Sequence, residues 1–248
     1  MPATDRRLII ELVSQATAAS RVRSFSAPGL VVTSGNNRNH VTTVLSVVDW
    51  RRRVAQLYAE VRAADVPVDG HARWRAGRDT LFRDHPASPL PPGDPLRTSG
   101  LPYWPYDPAL RFDVAVTPPM RDELRTLDSA SDGLIRMRLV GHVVLPDLGI
   151  GLDVWWFDQY AGGLFLPLRD GTAGIASYGG GRYLLDTAKG ADLGSTERAD
   201  STWLTIDLNF LYHPSCRYND AWECPLAPSG NTTRVPITAG ERLDHNLL

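Results

Sequence analysis

The spacing of hydrophobic residues changes from a helical period to a strand period along the chain. From Ser46 onward, apolar residues recur every three to four positions, which predicts an amphipathic helix. Ser46 and Asp49 have the spacing of a capping box, with aspartate in place of glutamate, and so predict the start of that helix. Pro67 and Gly70 interrupt the pattern, and a second helix is expected over residues 71–83. The stripe of the first helix comprises Val47, Trp50, Val54, Leu57, Tyr58 and Val61.

Residues 85–108 separate these helices from the rest of the chain. The segment is dense in proline, which fixes φ and lacks a backbone donor, so an extended connector is expected there. The aromatic residues of the segment 103–106 indicate that its second part packs against a surface.

After residue 111 the hydrophobic period becomes two, as in Phe112, Val114 and Val116. Short strands with glycine-rich turns, and no helix long enough for a crossover between them, favour antiparallel over parallel pairing. We therefore predict a mainly β fold, an antiparallel β barrel or sandwich with two N-terminal helices packed on it. The other expected strands are 134–140 and 143–145, separated by Gly141, then 153–157 paired with 164–168, then 182–185 and 202–211.

Residues 1–44 differ in composition from the rest of the chain, with arginines among small and polar residues. We expect an N-terminal extension without a defined fold; the alternative is an arm that contacts a partner. Residues 45–248 are expected to form a single β-rich domain with a helical N-terminal part.

Composition narrows the class of protein further. Of 248 residues, 43% are hydrophobic and 22% charged, which is typical of a globular protein. A net charge of −2 gives no basic surface for nucleic acid, and no apolar run approaches the length of a membrane span. Lys189 is the only lysine, which we interpret as the coding bias of a GC-rich bacterial genome. We expect a cytoplasmic protein without nucleic-acid or membrane partners, and the residues indicate neither a cofactor nor an oligomeric state.

The glycine-rich run before Arg182 is the first candidate for chemistry. Consecutive glycines let backbone N–H groups converge on an anion, and Arg182 would add a bidentate clamp on a carboxylate or phosphate. The alternative is a tight turn in which Arg182 pairs structurally with Asp170. The residues of this candidate site are Asp170, Thr172, Tyr178, Gly180, Gly181 and Arg182.

The segment 202–211 is the second candidate, because Asp207 and Asn209 alternate with apolar residues. In a barrel these polar side chains would line the interior, whereas in a sandwich they would face water, which is the expectation we favour. A buried Asp207 would need a partner or a shifted pKa and would then be a general acid or base candidate.

His213, Cys216 and Cys224 form a third, weaker cluster. Imidazole and thiol are zinc-compatible ligands, but the spacing fits no common zinc motif. A nucleophilic Cys–His pair requires a geometry that sequence does not show. Two buried, inert thiols are the favoured interpretation, with a disulfide or a metal as alternatives.

The ordered motifs together resemble the bacterial family catalogued as domain of unknown function 1684. The resemblance runs from about residue 46 to the C-terminus and implies no catalytic role, cofactor or partner. His213 stands where the family pattern has asparagine, which weakens the zinc interpretation. The motifs that carry it are 82–90, 103–108, 169–172, 178–184, Asn209, Tyr212, Pro214, Cys216, Tyr218, 224–226, Asn231 and 239–241.

The leading hypothesis is a site for a small, anionic molecule in or on the β structure, with Asp207 or Tyr178 handling protons if it is an enzyme. The competing hypothesis is a non-catalytic structural or protein-interaction domain, in which the same residues shape turns and core. The ligand-site residues are Asp170, Thr172, Tyr178, Gly180, Gly181, Arg182, Asp207, Asn209 and Tyr212.

Overall fold

The computed structural model describes residues 37–129 and 133–243. The predicted N-terminal extension therefore lies outside the described residues up to residue 36. Three helices are found in the described part of the chain: α1 (Asn37–Arg62), α2 (Pro67–Asp84) and the short α3 (Leu96–Ser99). None of them is long and apolar enough to cross a membrane.

The two long helices both begin earlier than predicted. Helix α1 starts at Asn37, so Ser46 lies within the helix and is not its N-cap; no proline or glycine interrupts residues 37–45. Helix α2 starts at Pro67. Proline is favoured in the first turn because the N–H that it lacks would have no intrahelical partner there. Pro67 therefore begins the second helix instead of preceding it.

Eight strands come after the helices, and they form two antiparallel sheets. The three-stranded sheet has the order β1-β8-β7 and the five-stranded sheet the order β2-β3-β4-β5-β6. No closed barrel is formed by residues 37–129 and 133–243, so the fold is sandwich-like. The strands are β1 (Arg111–Ala115), β2 (Leu124–Ser129), β3 (Gly133–Leu145), β4 (Ile150–Phe157), β5 (Leu164–Leu168), β6 (Arg182–Asp186), β7 (Ser195–Arg198) and β8 (Ser201–Asp207).

The predicted pairing of the 153–157 and 164–168 strands is confirmed, with Trp155 opposite Phe165. The strands predicted on either side of Gly141 are one strand, β3, which carries a bulge between Leu139 and Gly141. A bulge accommodates an extra residue without ending the strand. Two short strands, β2 and β7, were not predicted. All four residues of β7 are exposed, so this strand lacks the alternation that would mark it.

Segment 202–211 is only partly a strand. Strand β8 ends at Asp207, and Leu208–Phe210 form a single 3-10 turn whose N-cap is Asp207. The side chain of Asp207 accepts a hydrogen bond from the Asn209 N–H. The strand predicted over the whole segment therefore ends at Asp207, where the turn begins.

The core lies on both faces of the five-stranded sheet. One face packs against the helices and the three-stranded sheet in a single large cluster, in which Trp74 of α2 is fully buried with its ring 5.0 Å from that of Phe210. The opposite face carries a smaller cluster around Met137, Trp155 and Phe165. The two N-terminal helices are thus packed on the β structure as predicted.

Candidate functional site

Arg182, the predicted anion clamp, is fully buried at the start of β6. Its Nη2 donates to Asp170 Oδ2 at 2.7 Å and to the Ile237 carbonyl at 2.9 Å, and its Nη1 donates to the carbonyls of Ala239 and Glu241. Both terminal nitrogens are thus bonded within the protein. The structure brings Arg182 and Asp170 together, which is the pairing that the structural alternative expected.

Asp170 is the acceptor that holds this network together. Its carboxylate accepts from the N–H and hydroxyl of Thr172 and from the Ile237 N–H, besides Arg182. Burial raises its pKa, but Arg182 and Thr172 outweigh that effect and hold the pKa below its usual value. Asp170, Thr172 and Arg182 therefore join β5 and β6 to the C-terminal segment.

The glycines before Arg182 form a tight turn. The Gly181 N–H donates to the Tyr178 carbonyl at 2.9 Å, so this N–H points at the protein's own backbone. Gly181 has φ of 89°, and a Cβ there would lie 2.8 Å from the Leu168 carbonyl oxygen. A Cβ on Gly180 would lie 2.6 Å from the Tyr178 ring. Close packing and a left-handed backbone explain these glycines without an anion.

Asp207 and Asn209 are buried, which corrects the favoured expectation that they face water. Asn209 exchanges hydrogen bonds with the backbone of Asp107 at 2.8 Å, and Asp207 accepts from Asn209 and from the Tyr106 hydroxyl. Burial raises the pKa of Asp207. Asp207 also lines a cleft of about 260 Å³ with Arg62 and Arg111, but its own oxygens already have donors.

Tyr178 lies next to residues of the weak metal cluster. The Tyr178 N–H donates to His213 Nε2 at 3.1 Å, and His213 Nδ1 faces Glu241 at 3.5 Å. The Cys216 sulfur lies 3.8 Å from the Tyr178 hydroxyl. In the described part of the chain, no three His, Cys, Asp or Glu side chains are arranged to hold a metal. His213 uses both ring nitrogens elsewhere and does not join the cysteines.

A small cavity of about 80 Å³ lies between α1, α2 and the end of β6. Helix α1 lines it with Trp50, Val54 and Tyr58, while Arg78 and Phe82 come from α2. The remaining wall contains Tyr183, Asp186, Lys189, Ala191, Tyr212, His213, Pro214, Ser215 and Cys224. Of the predicted ligand-site residues, only Tyr212 lines this cavity.

Asp186 is the unusual residue of the cavity. It is 1% exposed, yet within the described ranges neither carboxylate oxygen accepts a hydrogen bond of good geometry. Its side chain does not cap the 3-10 turn that comes after it. Lys189 Nζ forms an ion pair with Oδ2 at 3.1 Å, but the lysine side chain is 52% exposed. Buried carboxylates without hydrogen bonds are rare and costly, so this group requires an explanation.

Two further polar groups face the same space. The Tyr58 hydroxyl is buried and makes no hydrogen bond with any residue that the structure describes, and burial raises the pKa of this tyrosine well above its usual value. Arg78 donates from Nε to the Tyr103 hydroxyl and from Nη2 to Glu241. Its Nη1 takes no part in these bonds. Convergent polar groups in a partly apolar cavity are typical of small-molecule sites.

Comparison with known proteins gives the family. The model of the family described as protein of unknown function DUF1684 matches residues 97–242. The chain belongs to this family. The match includes Asp186, Lys189 and Tyr212 of the cavity, while Tyr58 and Arg78 precede it. No curated protein matches the chain.

A solved structure shares the fold of this DUF1684 member. It is the solution NMR structure of an uncharacterized protein of Haloarcula marismortui, 33% identical in sequence, with a TM-score of 0.50. The match covers 69% of this chain and 91% of that one. The likeness extends beyond the matched family segment and supports the fold, while that protein is itself described as uncharacterized.

Sequence reasoning overlooked Asp186, Tyr58, Arg78 and Lys189 of this family member. The sequence feature that could have indicated Asp186 is its position: it is the last residue of a largely apolar strand, and the chain's only lysine comes three residues later. Tyr58 lies in the apolar stripe of α1, and the stripe alone assigns no role to its hydroxyl group. Neither pattern reveals that both side chains face one cavity.

Proposed function

We propose that this protein binds a small polar molecule in the Asp186 cavity, with a hydrogen-bond donor of the ligand on the Asp186 carboxylate. The observation that carries the proposal is the buried Asp186 carboxylate: within the described residues neither oxygen accepts a hydrogen bond of good geometry, and the half-exposed Lys189 ammonium, paired with Oδ2, is its one ionic partner. A carboxylate in this state is stabilised when a ligand supplies the missing hydrogen bonds.

The cavity limits the size and the chemistry of the ligand. A volume of about 80 Å³ accepts one polar end of a molecule and not a drug-sized compound. Asp186 favours an ammonium, hydroxyl or amide group. Arg78 and Lys189 line the same cavity and favour an acceptor or anionic group beside it. The proposed ligand therefore combines a donor with an acidic or carbonyl group, as amino acids and hydroxy acids do.

The ligand has a route to the cavity. Lys189 is exposed, and Trp50, Ser215 and Cys224 are partly exposed, so these residues mark where the cavity reaches the surface. The deeper wall consists of Tyr58, Asp186 and Tyr183, all at most 2% exposed. A ligand entering past Lys189 would reach Asp186 with its donor end first.

Two matched substitutions distinguish a ligand-binding carboxylate from a structural one. Asp186→Asn removes a buried charge whose ion-pair partner, Lys189, is half exposed and stays solvated, so we expect a free energy of unfolding equal to that of the wild type or higher. Asp170→Asn leaves the buried Arg182 charge without its partner, and we expect a loss of about 3–5 kcal/mol. Urea denaturation of both variants measures the difference. A loss for Asp186→Asn as large as for Asp170→Asn would make Asp186 structural and overturn the proposal.

A thermal-shift screen of amino acids, hydroxy acids, amines and polyols identifies the ligand. A ligand that binds only the folded state raises the melting temperature by mass action. A true ligand of the cavity stabilises the wild type and not Asp186→Asn. Compounds that stabilise both proteins equally bind elsewhere and do not support the site. If no compound discriminates between the two proteins, the competing hypothesis of a structural or interaction domain is favoured.

A further inference from the structure

Cys216 and Cys224 lie in direct contact although seven residues separate them in sequence. The Cys216 N–H donates to Cys224 Sγ at 3.4 Å. Since an N–Cα bond is about 1.46 Å long, this sulfur lies within about 5 Å of the Cys216 Cα. Residues 215–217 form a 3-10 turn, and the Trp222 N–H closes a second turn on the Asn219 carbonyl. The chain thus folds back to place one cysteine against the other.

Both cysteines are free and partly exposed. The expectation that both thiols are buried is therefore wrong. Each cysteine is the largest single influence on the ionisation of the other. Two thiols coupled in this way do not titrate independently, and one of them carries the negative charge first.

The surroundings place that charge on Cys224. The hydrogen bond from Cys216 lowers the pKa of Cys224 to about 6; the backbone N–H groups of Cys216 and Ser215 and the Lys189 ammonium act in the same direction, and burial opposes them. The pKa of Cys216 is raised by the same shared hydrogen bond. Cys224 is therefore the thiol of the pair that ionises first.

Cys224 also lines two cavities. It lines the Asp186 cavity and a second cavity of about 300 Å³ between β2 and residues 223–228. The wall of the second cavity includes Leu127, Ile135 and Leu226. A small reagent can thus approach the sulfur of Cys224 without displacing the core.

We propose that Cys224 and Cys216 form a redox-active dithiol that hydroperoxides oxidise to a disulfide, with Cys224 attacking and Cys216 resolving. The Cys224 thiolate attacks the outer oxygen of the hydroperoxide; the O–O bond breaks, a sulfenic acid forms, and the alkoxide leaves as the alcohol after taking a proton. The Cys216 sulfur then attacks Cys224 Sγ, the S–S bond forms, and the S–O bond breaks as water leaves with the Cys216 proton. Two thiols lose two electrons in total, and one hydroperoxide gains them. This step does not depend on the ligand proposed for the Asp186 cavity.

The test is oxidation of the full chain with one equivalent of hydrogen peroxide at pH 7. We expect the loss of both thiols, an intact mass lower by two hydrogens, and a peptide map that links Cys216 to Cys224. Cys216→Ser keeps the attacking thiolate, so its Cys224 should accumulate as a sulfenic acid that dimedone traps. Cys224→Ser keeps only Cys216, which lacks the neighbours that lower the pKa of Cys224, and should react at least about tenfold more slowly at pH 7.

The pH dependence gives a second readout that a merely structural pair would not show. The rate of thiol loss in the wild type should reach half its maximum near pH 6. Equal rates for the two serine variants, a half-maximal rate near the pKa of an ordinary thiol, or disulfides only between different molecules would each overturn the proposal. Near-ultraviolet circular dichroism of the variants checks that each is folded before the rates are compared.

Discussion

At the scale of the residue, the buried aspartates Asp170, Asp186 and Asp207 differ in the hydrogen-bond donors around them and not in their exposure. Asp170 and Asp207 each accept several hydrogen bonds, whereas Asp186 has an ion pair with Lys189 and no hydrogen bond among the described residues. Unpaired buried polar groups persist where a function or a ligand requires them. The donors around a carboxylate therefore indicate its role better than its exposure does.

His71 makes the stability of the protein depend on pH. It is 3% exposed, with Nε2 3.0 Å from the Asn209 carbonyl and its ring packed on Trp74. Burial lowers its pKa to about 4. Because the unfolded state then binds the proton first, the stabilising contribution is complete above about pH 6.5 and falls as the pH decreases towards 4.

We therefore expect His71 to account for a loss of about 2 kcal/mol between pH 7 and pH 5. Urea denaturation at the two pH values should show that loss in the wild type and a correspondingly smaller loss in His71→Gln. The comparison is made between variants because burial also lowers the pKa of His213. An identical pH dependence of both proteins would contradict the assignment to His71.

At the scale of the element, the position of α1 depends on the turn after β6. Gly190 comes directly after Lys189 with φ of 88°, and a Cβ there would lie 2.9 Å from the backbone of Ala55 in α1. This close approach lets Tyr58, one turn further along α1, reach the cavity beside Asp186. The helix and the turn thus close the candidate site together.

Gly190→Ala should destabilise the protein by about 2–3 kcal/mol, because the left-handed backbone and the contact with α1 both oppose a side chain. Gly93→Ala is the matched control, since Gly93 has φ of 82° but nothing lies within 4 Å of the added Cβ. Its expected cost is about 1 kcal/mol, from the backbone alone. Equal losses in urea denaturation would show that the approach of α1 contributes nothing.

At the scale of the whole molecule, we propose that the folded unit does not need the N-terminal segment. Residues 41–248 form one compact unit, and the described core residues run from Leu57 to Ala239. A protein of residues 37–248 should therefore melt within about 2 °C of the full chain, which corresponds to less than about 1 kcal/mol. Thermal unfolding monitored by circular dichroism checks this. A larger decrease would show that the segment contributes to the fold.

Hydrophobic spacing was sufficient for most of the architecture. The two long helices, the antiparallel pairing and the β4–β5 hairpin can be derived from local periods of about 3.6 and two. Prediction failed where the local pattern is weak or misleading. Strand β7 is exposed on both faces and so shows no hydrophobic alternation. Residues 208–210 continue the apolar–polar alternation of β8, although their backbone forms a 3-10 turn. Both predicted helix starts were wrong. Ser46 and Asp49 have capping-box spacing but lie inside α1, and Pro67, predicted to interrupt the helical pattern, occupies the first turn of α2. A capping residue or a proline indicates a helix start only if the helix begins there.

The sequence by itself determined the family, the mainly β class, the helices packed on it and the half of the chain that carries polar motifs. Only the tertiary structure decided what those motifs do. It engaged Arg182, Asp170 and Asn209 in internal hydrogen bonds, left Asp186 with an ion pair and no well-formed hydrogen bond among the described residues, and brought Cys216 against Cys224. The physical reason is that a polar side chain acquires its role from the partners that long-range packing gives it, and local sequence carries no record of those partners.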